Sequence, residues 1–409
     1  MNKVTLESIR EAQKTLEGII KKTPIQDSPF LTKELEGNIF FKLENLQRTG
    51  SFKIRGAMNK IASLTEEEKA RGVIASSAGN HAQGVALGAT AKGIKSTIVM
   101  PETAPMAKVI ATKGYGAEVV LCGQVYDDAY AKACELQKET GAVFLHPFND
   151  NYVISGQGTI GLEILDELPN VDVVLVPIGG GGILAGIAKA IKSIKPSVKI
   201  IGVQTDNVPS MREAMKAGCP VEIKAKPTIA DGIAVRKCGD LTLEIIKECV
   251  DEIVTVSEDE IVNAIFFLLE RNKVLAEGAG AVAVAAVLAK KIDCKDKNVC
   301  AVVSGGNIDI NLVNRVINKG LFNEGRRYEF KVSIPNKTGE LQKVLDFVKE
   351  CKGNIMCINQ SMFEEIGHTM YEDSLTNNSK EVLLVVECID VEHREMLKNS
   401  MEFAGYKIY

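Results

Sequence analysis

The sequence predicts an α/β body of parallel strands covered by helices, followed by a small α+β unit. Three observations carry this. Strand-like runs alternate with helical patterns over roughly the first three hundred residues. Several runs, such as Val171 to Pro177, are continuously apolar, as in strands buried on both faces. Near residue 320 the rhythm changes to strand, helix, strand, strand, helix, strand.

Taken in order, residues 4–17 read as an amphipathic helix with Val4, Ile9 and Leu16 apolar, closed off by Thr23-Pro24-Ile25. A strand over 38–44 leads into Gln47 to Ala57, and then a helix with Ile54, Ala57, Met58 and Ile61 on one face. Strands are predicted at 72–77, 96–100, 117–122, 142–146, 171–177, 199–204, 252–257 and 298–304. Helices are predicted at 80–92, 125–139, 156–167, 182–194, 257–272 and 278–291. The polar, glycine-bearing stretch 319–327 reads as a linker. The last unit reads as strands at 328–334, 354–361 and 381–389, helices at 338–352 and 391–404, and a short final strand.

Composition narrows the classes. The 409 residues suffice for two or three domains, and 45% hydrophobic with 25% charged is ordinary for a globular chain. A net charge of -4, no Trp and 5% aromatics argue against a nucleic-acid surface. The longest small-and-apolar run, Gly278 to Ala289, is too short to span a bilayer. Ten cysteines without a C-x-x-C pair, and no signal peptide, lead to the expectation of a cytoplasmic protein with reduced thiols. Four histidines (His81, His146, His368, His393), none at metal-ligand spacing, argue against a zinc enzyme.

Four stretches at strand ends carry chemistry. Lys53 falls in the first turn of a helix that Thr49 or Ser51 could cap. A cation gains nothing from the helix dipole there, whereas desolvation and the dipole field would lower its pKa toward the neutral amine of Schiff-base chemistry. Gly179-Gly180-Gly181-Gly182 lies between a strand and a helix, where absent Cβ atoms and free amides suit a phosphate. It lacks the lysine of a P-loop, and matches the dinucleotide fingerprint only loosely. Ser76-Ser77-Ala78-Gly79-Asn80-His81 offers hydroxyls, an amide and helix-start N–H groups to a small carboxylate, or only caps. Ser304-Gly305-Gly306-Asn307 can set a hydroxyl against a flat ligand, and Glu277 opens a buried helix, either as dipole compensation or as a functional group.

Together these motifs resemble the pyridoxal-phosphate enzymes of the tryptophan-synthase-β type (fold type II), and among them the threonine/serine dehydratases. The resemblance covers about residues 4–320 and rests on Gly-Ser-Phe-Lys-Ile-Arg-Gly, Ser-Ala-Gly-Asn-His, the tetraglycine and Ser-Gly-Gly-Asn. It implies a catalytic domain over 1–320, with a smaller lobe of about 50–148 inserted, and pyridoxal 5'-phosphate as cofactor. Lys53 would hold the cofactor covalently and act as base, with Phe52 beside the ring. Asn80 would bond its phenolic oxygen, Gly179 to Gly182 its phosphate and Ser304 its pyridine nitrogen. Ser77, Gly79, Asn80 and His81 would hold the substrate carboxylate. The implied reaction turns L-threonine into 2-oxobutanoate and ammonia, with L-serine to pyruvate as a side activity, in a homodimer or homotetramer.

Two departures matter. The serine racemases of this fold carry a second serine where this chain has Ala78, so racemisation is expected to be poor. They also bind a divalent ion through an acidic residue where this chain has Gln204, which leaves the metal question open. After a linker at 321–327, residues 328–409 resemble an ACT domain, with Asn336, Lys337, Gly339 and Leu341 in the loop that would hold an amino-acid effector, isoleucine for threonine dehydration. Other readings remain: a serine dehydratase, a β-replacement enzyme, or a nucleotide- or amino-acid-binding regulatory protein.

Overall fold

Continuously apolar runs become the middle strands of two sheets. In the computed structural model, which describes residues 3–360 and 379–409, the chain divides into two units, Met1–Asp309 and Ile310–Tyr409. The first holds β1 (Ile25–Asp27), β2 (Asn38–Leu43), β3 (Val73–Ser76), β4 (Ser96–Met100), β5 (Glu118–Leu121), β6 (Val143–Phe144), β7 (Val173–Pro177), β8 (Lys199–Thr205), β9 (Glu252–Val256) and β10 (Asn298–Val303). One sheet has the order β1-β2-β10-β7-β8-β9, the other β5-β4-β3-β6. All neighbours run parallel except β1, which pairs antiparallel with β2. The four-stranded sheet is built entirely from chain between β2 and β7, so the strand after which Lys53 follows belongs to the larger sheet.

Helices start where the sequence can cap them. Thr5 and Ser8 form a capping box at α1 (Leu6–Leu16). The helix predicted from 156 begins earlier, as α8 (Asn151–Glu167), because Asp150 Oδ1 accepts from the amides of Tyr152 and Val153. The helix predicted over 257–272 is α12 (Glu258–Phe267), followed by a π turn, Leu268–Asn272, that ends at Lys273 with φ 59°. α13 (Gly278–Leu288) has no polar face, and its residues from Gly278 to Val287 are buried. Short helices such as α2 (Pro29–Leu35) and α11 (Asp240–Cys249) were not marked by the sequence pattern.

The second unit has a different boundary from the sequence reading. The sequence predicts a linker over 321–327. Instead α14 (Ile310–Asn323) runs through its start, with Gly320 buried in the helix, and the chain turns at Gly325. Glycine inside a helix costs only about 1 kcal/mol, so it does not by itself break one. Gly325 has φ 70°, and a Cβ there would lie 2.5 Å from Val391 Cα, so glycine is required. The elements β11 (Arg327–Pro335), α15 (Glu340–Glu350), β12 (Asn354–Gln360), β13 (Ser379–Glu387), α16 (Val391–Phe403) and β14 (Lys407–Ile408) then give the expected βαββαβ order, as an antiparallel sheet β12-β13-β11-β14. The predicted last residue of the strand at 354–361 lies outside the described residues. Phe330, Val332 and Ile334 alternate inward along β11 and pack with Val344, Val348, Leu397 and Met401.

No helix among the described residues is long and apolar enough to cross a membrane. All ten cysteines are free thiols.

Candidate active site

Lys53 is presented by a turn stitched to the end of β10. Arg48–Gly50 forms a 3-10 turn with Thr49 at φ 65°, and Gly50 accepts from Gly306 N at 2.9 Å. Ser51 is extended and bridged to Gly305, and Phe52 N donates to Ser304 O at 3.2 Å. Neither Thr49 nor Ser51 caps the helix, contrary to the sequence reading; Phe52 occupies the cap position without a side-chain bond. The bridge to Gly305 takes the place of a cap and fixes where α3 (Lys53–Ala62) begins. Lys53 Nζ donates to Pro147 O at 3.3 Å and lies 5.3 Å from the Phe52 ring centre. Burial pulls its pKa down from 10.5 to about 8, with the Glu277 carboxylate opposing the fall. A usable fraction of neutral amine therefore exists near neutral pH.

The second loop joins β3 to α5 (Asn80–Ala91). Ser77 Oγ accepts from Gly79 N at 3.2 Å, and Gly79 is the cap residue, so neither Ser77 nor Asn80 caps the helix through its side chain. Asn80 instead joins a chain of amides. Its Oδ1 accepts from Asn307 Nδ2 at 2.7 Å, its Nδ2 donates to Glu277 Oε1 at 2.6 Å, and Asn307 Nδ2 also donates to Thr49 O at 2.7 Å. His81 is buried with Nε2 2.9 Å from Leu145 O, and burial followed by the Lys53 charge lowers its pKa to about 3. It is a neutral imidazole turned to a backbone carbonyl. What it offers a carboxylate is its backbone at the helix start rather than a positive ring.

The glycine turn joins β7 to α9 (Gly182–Ile194). Gly181 has φ 100°, and a Cβ there would lie 2.6 Å from Met211 Cε. A Cβ on Gly180 would meet the Phe148 ring at 2.4 Å, and one on Gly182 would lie 3.0 Å from Phe148 Cα. Thr242 Oγ1 donates to Gly180 O at 2.7 Å and holds the turn. Phe148 is therefore the wall of this cradle, and the adjoining Pro147 is the residue that Lys53 touches. The amine and the glycine turn meet across two consecutive residues. His146 Nδ1 accepts from the amides of Phe148 and Asn149, and burial, then Lys53, lowers its pKa to about 4.

Ser304, at the end of β10, donates to Ala279 O over a long 3.3 Å. Gln204 is buried with both ends of its amide engaged: Oε1 accepts from Arg212 N at 2.9 Å and Nε2 donates to Val208 O at 3.4 Å. Among the described residues no group of three or more His, Cys, Asp or Glu is placed to hold a metal ion. Sequence reasoning missed the structural parts played by Pro147, Phe148 and Thr242, which carry no local signal. Of the C-terminal residues, Asn336, Lys337 and Gly339 are exposed and Leu341 is half-buried against that unit's own core. Gly339, at φ 87°, is the cap residue of α15.

A partly neutral buried amine beside a glycine cradle, on loops at the carboxyl ends of parallel strands, defines an enzyme for covalent carbonyl chemistry on a phosphorylated group. The chain belongs to the pyridoxal-phosphate dependent enzyme family, whose family model matches residues 16–305. It is 51% identical over 408 residues to an L-threonine ammonia-lyase of Thermotoga maritima, covering 99% of each chain. It is 46% identical over 401 residues to an L-threonine ammonia-lyase of Geobacter sulfurreducens, covering 98% of each. Among solved structures it is similar to maize serine racemase, with a TM-score of 0.74 and 36% identity, covering 78% of this chain and 98% of that one. The residues present suit the cofactor: an amine for its aldehyde, a cradle in which Cβ atoms would collide, and a Ser304 hydroxyl held, among the described residues, by one long bond.

Proposed function

We propose that the chain is a lyase that converts L-threonine to 2-oxobutanoate and ammonia, and L-serine to pyruvate more slowly. The observation that carries the chemistry is the buried Lys53 amine, with its pKa near 8, set against the glycine cradle through Pro147 and Phe148. The substrate reading is supported by the likeness to the Thermotoga maritima enzyme over 99% of both chains.

In this reading pyridoxal 5'-phosphate, when bound, withdraws electrons from the substrate's α-carbon. Lys53 would hold it with Phe52 beside it, Gly179 to Gly182 would take the phosphate on backbone amides, Asn80 would meet the phenolic oxygen, and Ser304 would meet the ring nitrogen. Because the Ser304 partner is a neutral hydroxyl, it does not enforce a protonated ring. Ser77 and the helix-start amides from Gly79 to His81 orient the substrate carboxylate. Lys53 Nζ, as the neutral amine, would accept the α-proton and pass a proton to the β-oxygen, so that the hydroxyl leaves as water and the amine is restored. The released enamine tautomerises and is hydrolysed to the 2-oxo acid and ammonia, so water lost in one step is regained in the next.

The test is 2-oxo acid production from a panel of amino acids by purified protein and its Lys53→Ala variant. L-threonine should be the best substrate and the variant inactive, although alanine suits the helix. Steady-state turnover by the variant would overturn the reading.

A further inference from the structure

Glu277 is the cap residue of α13, yet its carboxylate makes no capping bond. It is buried and accepts from Asn80 Nδ2 at 2.6 Å, across 197 residues of sequence. The neighbouring backbone is shaped for this pair. Glu277 N donates to Gly305 O at 3.1 Å, and a Cβ on Gly305 would lie 2.3 Å from Glu277 Oε1 and 3.2 Å from Asn80 Nδ2. Any other residue at 305 would push the two apart.

The network also fixes which way the Asn80 amide faces. Asn307 donates to Thr49 O, a carbonyl that can only accept, so the nitrogen end of Asn307 is identified. That same nitrogen donates to Asn80, which must present its oxygen there. Asn80 therefore turns its nitrogen to Glu277, where one of its two N–H groups is used and the second is left to donate.

We propose that Glu277 is a positioning residue that locks the Asn80 amide with its second N–H directed at the cofactor, and that this grip tightens when Glu277 ionises. The proposal rests on the reading of Asn80 as a cofactor ligand. Three charged groups from other elements face Glu277: Asp231 on the 3-10 turn Asp231–Ile233, Lys108 on α6 (Met106–Gly114), paired with Asp231 at 2.8 Å, and Lys53 on α3. Burial and then Asp231 raise the Glu277 pKa to about 7, against the Asn80 bond and the two lysines. Its charge is thus divided near neutral pH, and a charged acceptor holds an amide more strongly than a neutral one.

The test compares wild type, Glu277→Gln and Glu277→Ala. Each protein, stripped of cofactor, is titrated with pyridoxal 5'-phosphate and followed by the visible absorbance of the bound form, at several pH values on either side of 7. E277A should bind at least about tenfold more weakly, the loss of one charge-assisted bond. E277Q, which keeps an acceptor oxygen in place, should fold with an unchanged melting temperature and bind within about threefold of wild type below pH 7. It should also lose the rise in affinity that wild type shows as pH passes through 7. Lys53 titrates near this range and the Glu277 charge holds its pKa up, so the Lys53 titration is measured separately in each protein by amine modification and the binding profiles are compared after that correction. Wild-type affinity in E277A, or an unchanged pH profile in E277Q, would overturn the proposal. Crystal structures of wild type and E277A give a second readout: Asn80 should lose its fixed orientation in the variant, and an unmoved amide refutes the positioning role. Wild-type protein with no visible band would defeat the cofactor reading instead, and the amide orientation would still decide this one.

Discussion

Arg55 and Glu44 form a two-pronged pair inside the protein: Nε donates to Oε2 and Nη2 to Oε1, both at 2.8 Å, with neither side chain exposed. Arg55 sits two residues beyond Lys53 on α3, and Glu44 opens the 3-10 turn Glu44–Leu46 directly after β2, so the pair ties the lysine-bearing helix to the end of a strand of the larger sheet. Glu163 on α8 accepts from Nη1 and Nη2 along another edge of the guanidinium and also meets Lys42 Nζ at 2.7 Å. Two buried cations thus face two buried carboxylates, a balance without which burial would be prohibitive.

That balance makes the effect of removing one member predictable. Glu44→Ala should destabilise the protein by about 3–5 kcal/mol, because it leaves two buried cations, Arg55 and Lys42, sharing Glu163. The double variant Glu44→Leu with Arg55→Met should lose far less, since Lys42 and Glu163 remain matched. Urea unfolding of the three proteins measures both. A single variant within about 1 kcal/mol of wild type would show that the pair is not stabilising α3.

Lys53 should be a reactive amine well below the usual lysine range. With a pKa near 8, roughly a tenth of it is neutral at pH 7 in protein stripped of cofactor. Its rate of modification by an amine-selective reagent should rise with pH and level off above about 8, whereas surface lysines continue to gain toward 10.5. The folded pKa is depressed, so the cost of the buried ammonium is present in full below about 8 and is relieved as pH rises toward 10.5. Peptide mapping after modification across that range checks the first statement; a Lys53 profile matching surface lysines would refute it.

Much of the body was legible because the signals were local. A run of four glycines between an apolar strand and a helix has few uses, and a lysine in a first helical turn runs against the dipole. The parallel sheets followed from runs such as Val173–Pro177, whose five residues are all buried. What was illegible depends on partners far along the chain. Lys42, Glu44, Arg55 and Glu163 look like ordinary surface charges until four elements bring them together. For Glu277 the sequence leaves dipole compensation and a functional group both open, because nothing in its own helix points to Asn80. The capping assignment for Thr49 and Ser51 failed because Ser51 is drawn into a bridge with Gly305, a pairing no window around 51 contains. The linker failed because polar residues and a glycine fit a solvent-facing helix such as α14 as well as a loop.

Ala78 offers a test of reaction class. It lies between Ser77 and Gly79 at the approach to α5, half-buried against the core of the smaller lobe. Racemases of this fold carry a hydroxyl there to serve the face of the α-carbon opposite the lysine. Ala78→Ser should raise L-to-D serine conversion by at least about tenfold over the unmodified protein, with dehydration still dominant. Chiral chromatography of the products measures this. Substantial racemisation by the unmodified protein would defeat the argument, since it has no hydroxyl at that position.

The C-terminal unit should confer a response that the catalytic part lacks. Maize serine racemase is matched over 98% of its own chain by 78% of this one, so a protein of that architecture needs no counterpart to the remainder. By the resemblance of the C-terminal residues to an ACT domain, paired units would form a pocket for an amino acid, with the exposed loop from Asn336 to Gly339 taking its backbone and Leu341 bordering its side chain. Isoleucine, an apolar amino acid made from 2-oxobutanoate, is the expected effector. For inhibition it must bind the less active state more tightly, by about 1–3 kcal/mol in a typical case, or about 5–150-fold. The division of the chain dictates the variant: removal of 310–409 cuts between units, whereas removal of 328–409 would leave α14 behind with its buried Val316. The shortened protein, Met1–Asp309, keeps Asn307 and therefore the Thr49–Asn307–Asn80 network. It should retain threonine turnover and lose all sensitivity to isoleucine. The measurement is a titration of both forms at subsaturating threonine with isoleucine, valine and a nucleoside monophosphate. Inhibition that survives the truncation would place the effector in the catalytic unit, and a full-length protein indifferent to both amino acids would leave the C-terminal unit a role in assembly alone.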